Sequence, residues 1–540
     1  MKRSNYHLLK EINEEDLFSA GERILRSYMR AIKRNRGTVP FISVLIPIVE
    51  EYNFKIRNTT VESYEKAFFV RPLVSVYYYP SEPTYYWQDG LDLEEAVWRA
   101  ELKSWENHGH YTHSQWELPE YKLLHPKTPT RKKIKIKDLI NDRKIEEEDI
   151  PEFIEIVKNL SQNALSVKGI KSVKNSGSVI FKRELYYDTL GSEIYQENLY
   201  WYLYTITAAP CEDLPERVLS LSITHGAFGG LKTLKSLEKE LLNSYVDTAK
   251  KSVIFSRARS DYKDFSLTAG KFRAVLDGKV AGTALHEYGI GHLVEAHRLL
   301  ESYEALIFDK KLGKKIAPEE ITIIDDSKIE INGIKPISYY VFDAEGVEKQ
   351  HTEIIKNGIF NSYLHSKLTA GTLPPEKGGG ILTGNARVEI EKGKGDEEKR
   401  PIPRMSTLYI KPGDYKFEEL LEEAKGGLYV SSGSPTGAVD TGLAIGYVDI
   451  DEIYYIDSNL DLVPLRLPNA SFSLTGDALT FLSNIEKIGD ESTLSLDSGY
   501  CGAESGFVPQ AIFSPSLLVR EVDLKVINST KPRKKPLTEH

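Results

Sequence analysis

The segment Ala284-Leu285-His286-Glu287-Tyr288-Gly289-Ile290-Gly291-His292 brings together residue types suited to hydrolysis. A His-Glu pair followed by a second His is how metallopeptidases place two imidazoles on one zinc ion. The Glu then stands beside the ion's water as general base. In the helical form of that motif the histidines are four apart and share a face. Here His286 and His292 are six apart, which on a regular helix separates their directions by about 120°. Gly289 and Gly291 lie between them, and a bulge or broken turn there would bring the rings together.

A zinc site needs at least a third protein ligand. Cys501, in Ser498-Gly499-Tyr500-Cys501-Gly502-Ala503-Glu504, is the candidate, expected in an open loop accessible to a metal or an electrophile. The plainer reading of a cysteine is a small hydrophobe, and Cys211 in Ala209-Pro210-Cys211-Glu212 is read that way. Glu295 and His297 are further ligand candidates, with solvated surface residues as the blander account of both. The residues alone leave three chemistries open. These are a metal-dependent hydrolase, a thiol hydrolase with Cys501 activated by His286 or His292, and a non-catalytic peptide-binding or scaffold subunit. His108-Gly109-His110-Tyr111-Thr112-His113 reads as a polar loop. Gly226-Ala227-Phe228-Gly229-Gly230-Leu231-Lys232-Thr233 lacks the Gly-Lys-Ser/Thr junction of a phosphate loop.

The elements that must carry these residues follow from periodicity. Residues 10–35 have helical spacing, and Val39–Val49 is apolar enough for a buried strand. The Tyr- and Trp-rich stretch 74–116 suits strands in a packed core, and 131–137 alternates charge with Ile as an edge strand would. The tract 177–210 reads as two or three antiparallel strands joined through 189–192, and 231–251 as a helix. Residues 272–285 look strand-like, feeding the histidine motif. Asn332-Gly333 and Asn357-Gly358 suit type I′ hairpins, and Asp457-Ser458-Asn459 another turn. Short helices are expected at 286–307 and 416–425, and Lys377-Gly378-Gly379-Gly380 as a flexible loop near the site.

At 540 residues the chain exceeds one usual core. The boundary is placed near residue 265, giving domains 1–265 and 266–530 and a disordered tail 531–540. Lys+Arg 70 against Asp+Glu 79 gives a net charge of -9, the wrong sign for a broad nucleic-acid face. Two cysteines exclude a disulfide framework. The charged start after Met1 and the shortness of every apolar run point to a cytoplasmic chain without a membrane anchor.

Several ordered segments resemble the TldD/PmbA (TldE) family of peptidases. Leu285-His286-Glu287 and Gly291-His292, with Glu295 following, are similar to the TldD metal motif. Thr383-Gly384-Asn385-Ala386-Arg387, Pro403-Arg404-Met405-Ser406-Thr407, Gly427-Leu428-Tyr429 and Gly499-Tyr500-Cys501-Gly502 match family signatures in order. The hairpin Ile355-Lys356-Asn357-Gly358-Ile359 falls where the family has a similar turn. The resemblance runs from about 150 to 527. It implies an α+β fold, with an N-terminal α/β domain before a strand-rich C-terminal domain of the metallopeptidase type. It also implies a zinc metallopeptidase acting on short or unfolded peptides in a homodimer or in a heterodimer with a TldE-like chain. Carried over by position, His286, His292 and Cys501 would hold Zn2+ and Glu287 would be the base. TldE-type partners lack these residues, so the chain resembles the catalytic TldD type. It departs from the family in having four residues between Glu287 and His292 where three are usual.

Overall fold

A computed structural model describes residues 40–88, 92–112, 120–140, 142, 145–213, 216–300, 307–390, 399–468 and 470–528, with Arg26 and Arg30. The helix expected over 10–35 therefore falls almost wholly outside the described residues, as do His113 and the tail 531–540. Among the described residues the strands form three large sheets, of eight, nine and six strands. No helix among them is long and apolar enough to cross a membrane.

The first sheet is built on three long antiparallel strands, Phe41–Arg57, Ser172–Asp188 and Glu193–Pro210. Alternation decides its faces. Val179, Phe181, Leu199, Trp201 and Leu203 face the helices Ile150–Leu165 and Leu231–Ser256. Ile180, Tyr186, Ile194 and Tyr200 face the other way, onto Ile337, Phe342, Val388 and Ile390 of the second half. Both hairpin strands of the tract 177–210 are present, turning at 189–192 as expected. Arg131–Ile134 is the expected edge strand, paired in parallel with Glu193–Pro210. Pro47 is tolerated in a long strand because it falls where the neighbour changes, between Leu45↔Leu73 and Ile48↔Val70. The aromatic stretch differs from expectation. Its strands end at Trp87, and Leu93–Thr112 is a helix packed on the sheet through Leu93, Ala96, Val97 and Ala100. Its apolar residues return every three to four positions, so the helix period prevails over aromatic propensity.

The glycine-rich stretch at 226–233 ends the strand Val218–Phe228 and opens the helix Leu231–Ser256. Asp142 accepts from Gly230 N at 3.0 Å and Thr233 N at 3.3 Å. The helix terminus thus already holds an anion, the protein's own carboxylate.

The second half holds the nine- and six-stranded sheets. Both Asn-Gly pairs have the positive φ at both positions that a type I′ turn requires: 53° and 77° at 332–333, 49° and 75° at 357–358. Residues 278–285, expected as strand, instead start a helix. Asp277 ends the strand Gly270–Leu276 and caps the helix Gly278–Ala284, accepting from Val280 N at 2.8 Å. Past residue 286 the single expected helix breaks into short turns, described below. Lys377-Gly378-Gly379-Gly380, expected as a loop, forms a tight turn, with Gly380 N donating to Ala370 O at 2.7 Å.

The helix Gly278–Ala284 carries glycines at 278 and 282 because it lies flush there on the strand Gly506–Ser514. A Cβ on Gly282 would stand 2.6 Å from Ile512 Cγ2, and one on Gly278 2.2 Å from Ser514 O. Helix propensity favours alanine over glycine by up to about 1 kcal/mol, but overpacking against fixed backbone costs about 1–3 kcal/mol. Gly278→Ala is therefore expected to destabilise, lowering the denaturant midpoint; an unchanged or raised midpoint would show that the helix need not sit so close.

Candidate metal centre

The two rings of the histidine motif meet because its helix changes pitch. Residues Leu285–Gly289 form a π-turn. Ile290 N donates to Leu285 O at 2.8 Å and Gly291 N to the same oxygen at 3.0 Å, five and six residues on. Ile290 (φ -148°, ψ -40°) and Gly291 (φ -46°, ψ -81°) then leave the helical region, and a 3-10 turn carries His292–Val294. This is the broken turn anticipated from Gly289 and Gly291. The His286 and His292 rings end with centroids 4.9 Å apart. Gly291 is obligatory, since a Cβ there would stand 2.2 Å from His286 O and 2.4 Å from Met405 Sδ.

Cys501 arrives from the other sheet. It lies in the strand Ser495–Ala503, opposite Val508, and is buried rather than in an open loop. Ladder pairing on Gly506–Ser514 outweighs the loop signal of its flanking glycines. His286 Nε2 lies 3.2 Å and His292 Nε2 3.1 Å from Cys501 Sγ. The three donor atoms are within 4.8 Å of one another. Tetrahedral ligands at about 2.0–2.1 Å (N) and 2.3 Å (S) would be about 3.5 Å apart. An outward shift of a few tenths of an ångström therefore seats an ion, and two imidazoles with a thiol are a zinc-type donor set.

Charges around the donors are organised. Burial pushes the Cys501 thiol up, but His292, Arg404 and His286 together hold it well below its ordinary range. Burial opposes protonation of His292, yet Cys501 and Glu295 hold its pKa well above the usual value. His292 Nδ1 faces Glu295 at 3.4 Å. Burial would raise the Glu295 carboxyl, but His292, Arg404 and Arg298 bring it down to about 2. A carboxylate on the far nitrogen fixes the tautomer of a ligating histidine.

Glu287 stands outside the donor set and keeps some exposure. Burial raises its carboxyl above the usual range, against the pull of His286 and His292. Its side chain crosses the strand Thr436–Asp440 at Gly437, where a Cβ would be 2.7 Å from Glu287 Cγ. The next residue, Tyr288, lies over Gly446 and Gly476, which face each other on adjacent strands.

Glu295 and His297 are not solvated surface residues. Both are buried and neither joins the three donors. Burial lowers His297 to about 3. Cys211 is buried elsewhere, with Arg466 Nη1 3.5 Å from its sulfur. Sequence reasoning missed the support given by Glu295 and Arg404 and the clearance given by the three strand glycines. Glycines inside strand patterns were the available signal, since they mark close approach of another segment.

Residues 269–526 match the family described as PmbA/TldA metallopeptidase C-terminal domain. A metalloprotease of Methanocaldococcus jannaschii is 34% identical over 363 residues, which are 67% of this chain and 71% of that one. A metalloprotease of Methanothermobacter thermautotrophicus is 34% identical over 297 residues, 55% of this chain and 58% of the relative. A zinc metalloprotease TldD homolog of Saccharolobus solfataricus is 28% identical over 256 residues, 47% of this chain and 51% of the relative. The chain thus spans less than two thirds of the latter two. TldE from Thermococcus kodakarensis has a similar fold, with a TM-score of 0.66 at 14% identity over 93% of this chain and 99% of that one. The chain belongs to the TldD/PmbA family of metallopeptidases.

Proposed function

We propose that the chain is a zinc peptidase that hydrolyses peptide bonds of short or unfolded peptides, with Glu287 as general base. The observation carrying this reading is the convergence of His286 Nε2, His292 Nε2 and Cys501 Sγ on one point beside Glu287. Bound by these three residues, zinc would supply a Lewis acid that acidifies water and polarises a carbonyl. Glu287 takes the proton of the attacking water and returns it to the leaving amine. Its raised affinity for a proton suits both steps. Glu295 holds the His292 ring so that Nε2 faces the donors.

The strand Thr436–Asp440 supports docking of an extended peptide. It is an edge of the nine-stranded sheet among the described residues, passes under Glu287, and pairs on one side with Ile445–Ile450. Strand addition reads backbone more than side chains, which suits varied peptides. In this reading the catalytic domain begins near residue 265 and the protein works in the cytoplasm. It does so as a homodimer or with a TldE-like chain, a partner suggested by the fold shared with TldE.

One observation favours a second reading: Cys501 and His292 lie 3.1 Å apart, as a thiol nucleophile and its base would. Chelation separates the two. Removal of metal is expected to abolish peptide cleavage and readdition of zinc to restore it, while Cys501→Ser loses bound zinc. Activity that survives chelation but not alkylation would move the reading to the thiol enzyme.

Glu287→Gln is expected to keep bound zinc while kcat falls by about 10²–10⁴-fold, the usual contribution of a positioned base. Full activity in that variant with zinc retained would remove Glu287 from the mechanism. For the docking strand, peptides N-methylated at alternate backbone nitrogens should bind with raised KM. Equal KM for methylated and unmethylated peptides would exclude strand addition.

A further inference from the structure

The metal centre is assembled from two arms that share no secondary structure. One is the turn carrying His286 and His292, the other the hairpin carrying Cys501. We propose, on the basis of the metal reading above, that Arg404 is the positioning residue that sets the distance between the arms and thereby the zinc affinity.

Arg404 is fully buried, and its guanidinium touches both arms. On the hairpin side Nη2 donates to Cys501 O at 2.7 Å, and Nη1 donates to Ser505 Oγ at 2.9 Å and Gly506 O at 3.0 Å. On the helical side Nε lies 3.4 Å from Glu295 Oε1, with both side chains at 0% exposure. Glu295 in turn faces His292 Nδ1. One planar fork therefore donates to the backbone of one candidate ligand and sets its charge, without a formed hydrogen bond, against the carboxylate that faces another. Lysine cannot reproduce this, because it offers a point charge on a flexible stem.

The fork is itself immobilised. Arg404 N donates to Asn385 O at 2.9 Å, and Asn385 Nδ2 donates to Arg404 O at 2.9 Å. Asn385 Nδ2 also donates to Asp325 Oδ1 at 2.7 Å. Asp325 binds Ser406 N at 2.7 Å and is paired with Lys349 at 2.8 Å. The two segments Thr383–Arg387 and Pro401–Thr407 thus form a rigid mount for one side chain. Contacts behind a metal ligand are worth about 10–100-fold in affinity when lost.

The test titrates metal-free protein with Zn2+ against a chromophoric chelator, and with Co2+ to read the thiolate-to-cobalt charge-transfer band. Arg404→Lys is expected to weaken Zn2+ binding by about 10–100-fold and to shift that band. The shift is a change in ligand geometry that a general loss of stability would not produce. Glu295→Gln keeps an oxygen facing His292 but loses the ion pair, so it should also weaken binding. The double variant should be no worse than the weaker single one. Unchanged affinity and band in Arg404→Lys, or strictly additive losses in the double variant, would overturn the proposal. If Arg404→Lys does not fold, Glu295→Gln and Ser505→Ala decide, and wild-type affinity in both overturns it. Wild-type protein that takes up neither ion would remove the metal reading itself, an outcome distinct from tight wild-type binding with indifferent variants.

Discussion

The convergence of two imidazole nitrogens on one sulfur is the constraint around which the second half of the chain is arranged. His292 and Cys501 are 209 residues apart in sequence, yet their donor atoms are 3.1 Å apart. Their elements belong to a helical segment and to a hairpin. The helix Gly278–Ala284 is pressed onto the strand Gly506–Ser514, and the same strand pairs with the one bearing Cys501. A single strand therefore references both arms. Glycines in the helix are the consequence: a Cβ at Gly278 or Gly282 would meet Ser514 O or Ile512 Cγ2.

The same economy of space appears on the opposite side of the motif. Glu287 and Tyr288 lie against strands whose glycines, Gly437, Gly446 and Gly476, remove the side chains that would block them. Strand glycines weaken a sheet, and here they admit the turn to within contact of its backbone. The π-turn adds a second local irregularity. It lets six-residue spacing do what four-residue spacing does on a regular helix, because the chain leaves the helical path at Ile290 and Gly291 rather than continuing around it.

How far the sequence revealed this depends on the range of the interactions involved. The hairpins at 332–333 and 357–358 were legible because Asn-Gly chemistry is local, and the long pair Ser172–Asp188 and Glu193–Pro210 because alternation is local. The three ligand candidates came from residue types and from a family resemblance, and the structure brings all three together. Residues 278–285 were misread as strand because Val280 and Leu285 sit among small residues whose purpose, close packing on Ser514 and Ile512, is visible only in three dimensions. Cys501 reads as a loop residue in sequence for the converse reason. Its glycine neighbours signal flexibility in isolation, whereas ladder bonds to Gly506–Ser514 hold it in a strand. Glu295 looked like a surface acid because nothing near it in sequence announces Arg404.

That last pairing shows what the site demands energetically. Burying an ion pair carries a desolvation penalty of several kcal/mol per ion, which mutual attraction offsets only with good geometry and full hydrogen bonding. Asp325 and Lys349 meet that condition at 2.8 Å, whereas Arg404 and Glu295, also removed from water, face each other at 3.4 Å with Nε and Oε1 lacking a hydrogen bond. Replacing buried ion pairs by apolar side chains of similar volume is often neutral or stabilising. They would not orient a ring nitrogen or hold a backbone carbonyl. The π-turn carries His286, the strand glycines lie against Glu287 and Tyr288 beside it, and the buried Glu295 faces His292. Departures from local rules are expected where geometry is held at the expense of stability, and these surround the cluster of His286, His292 and Cys501.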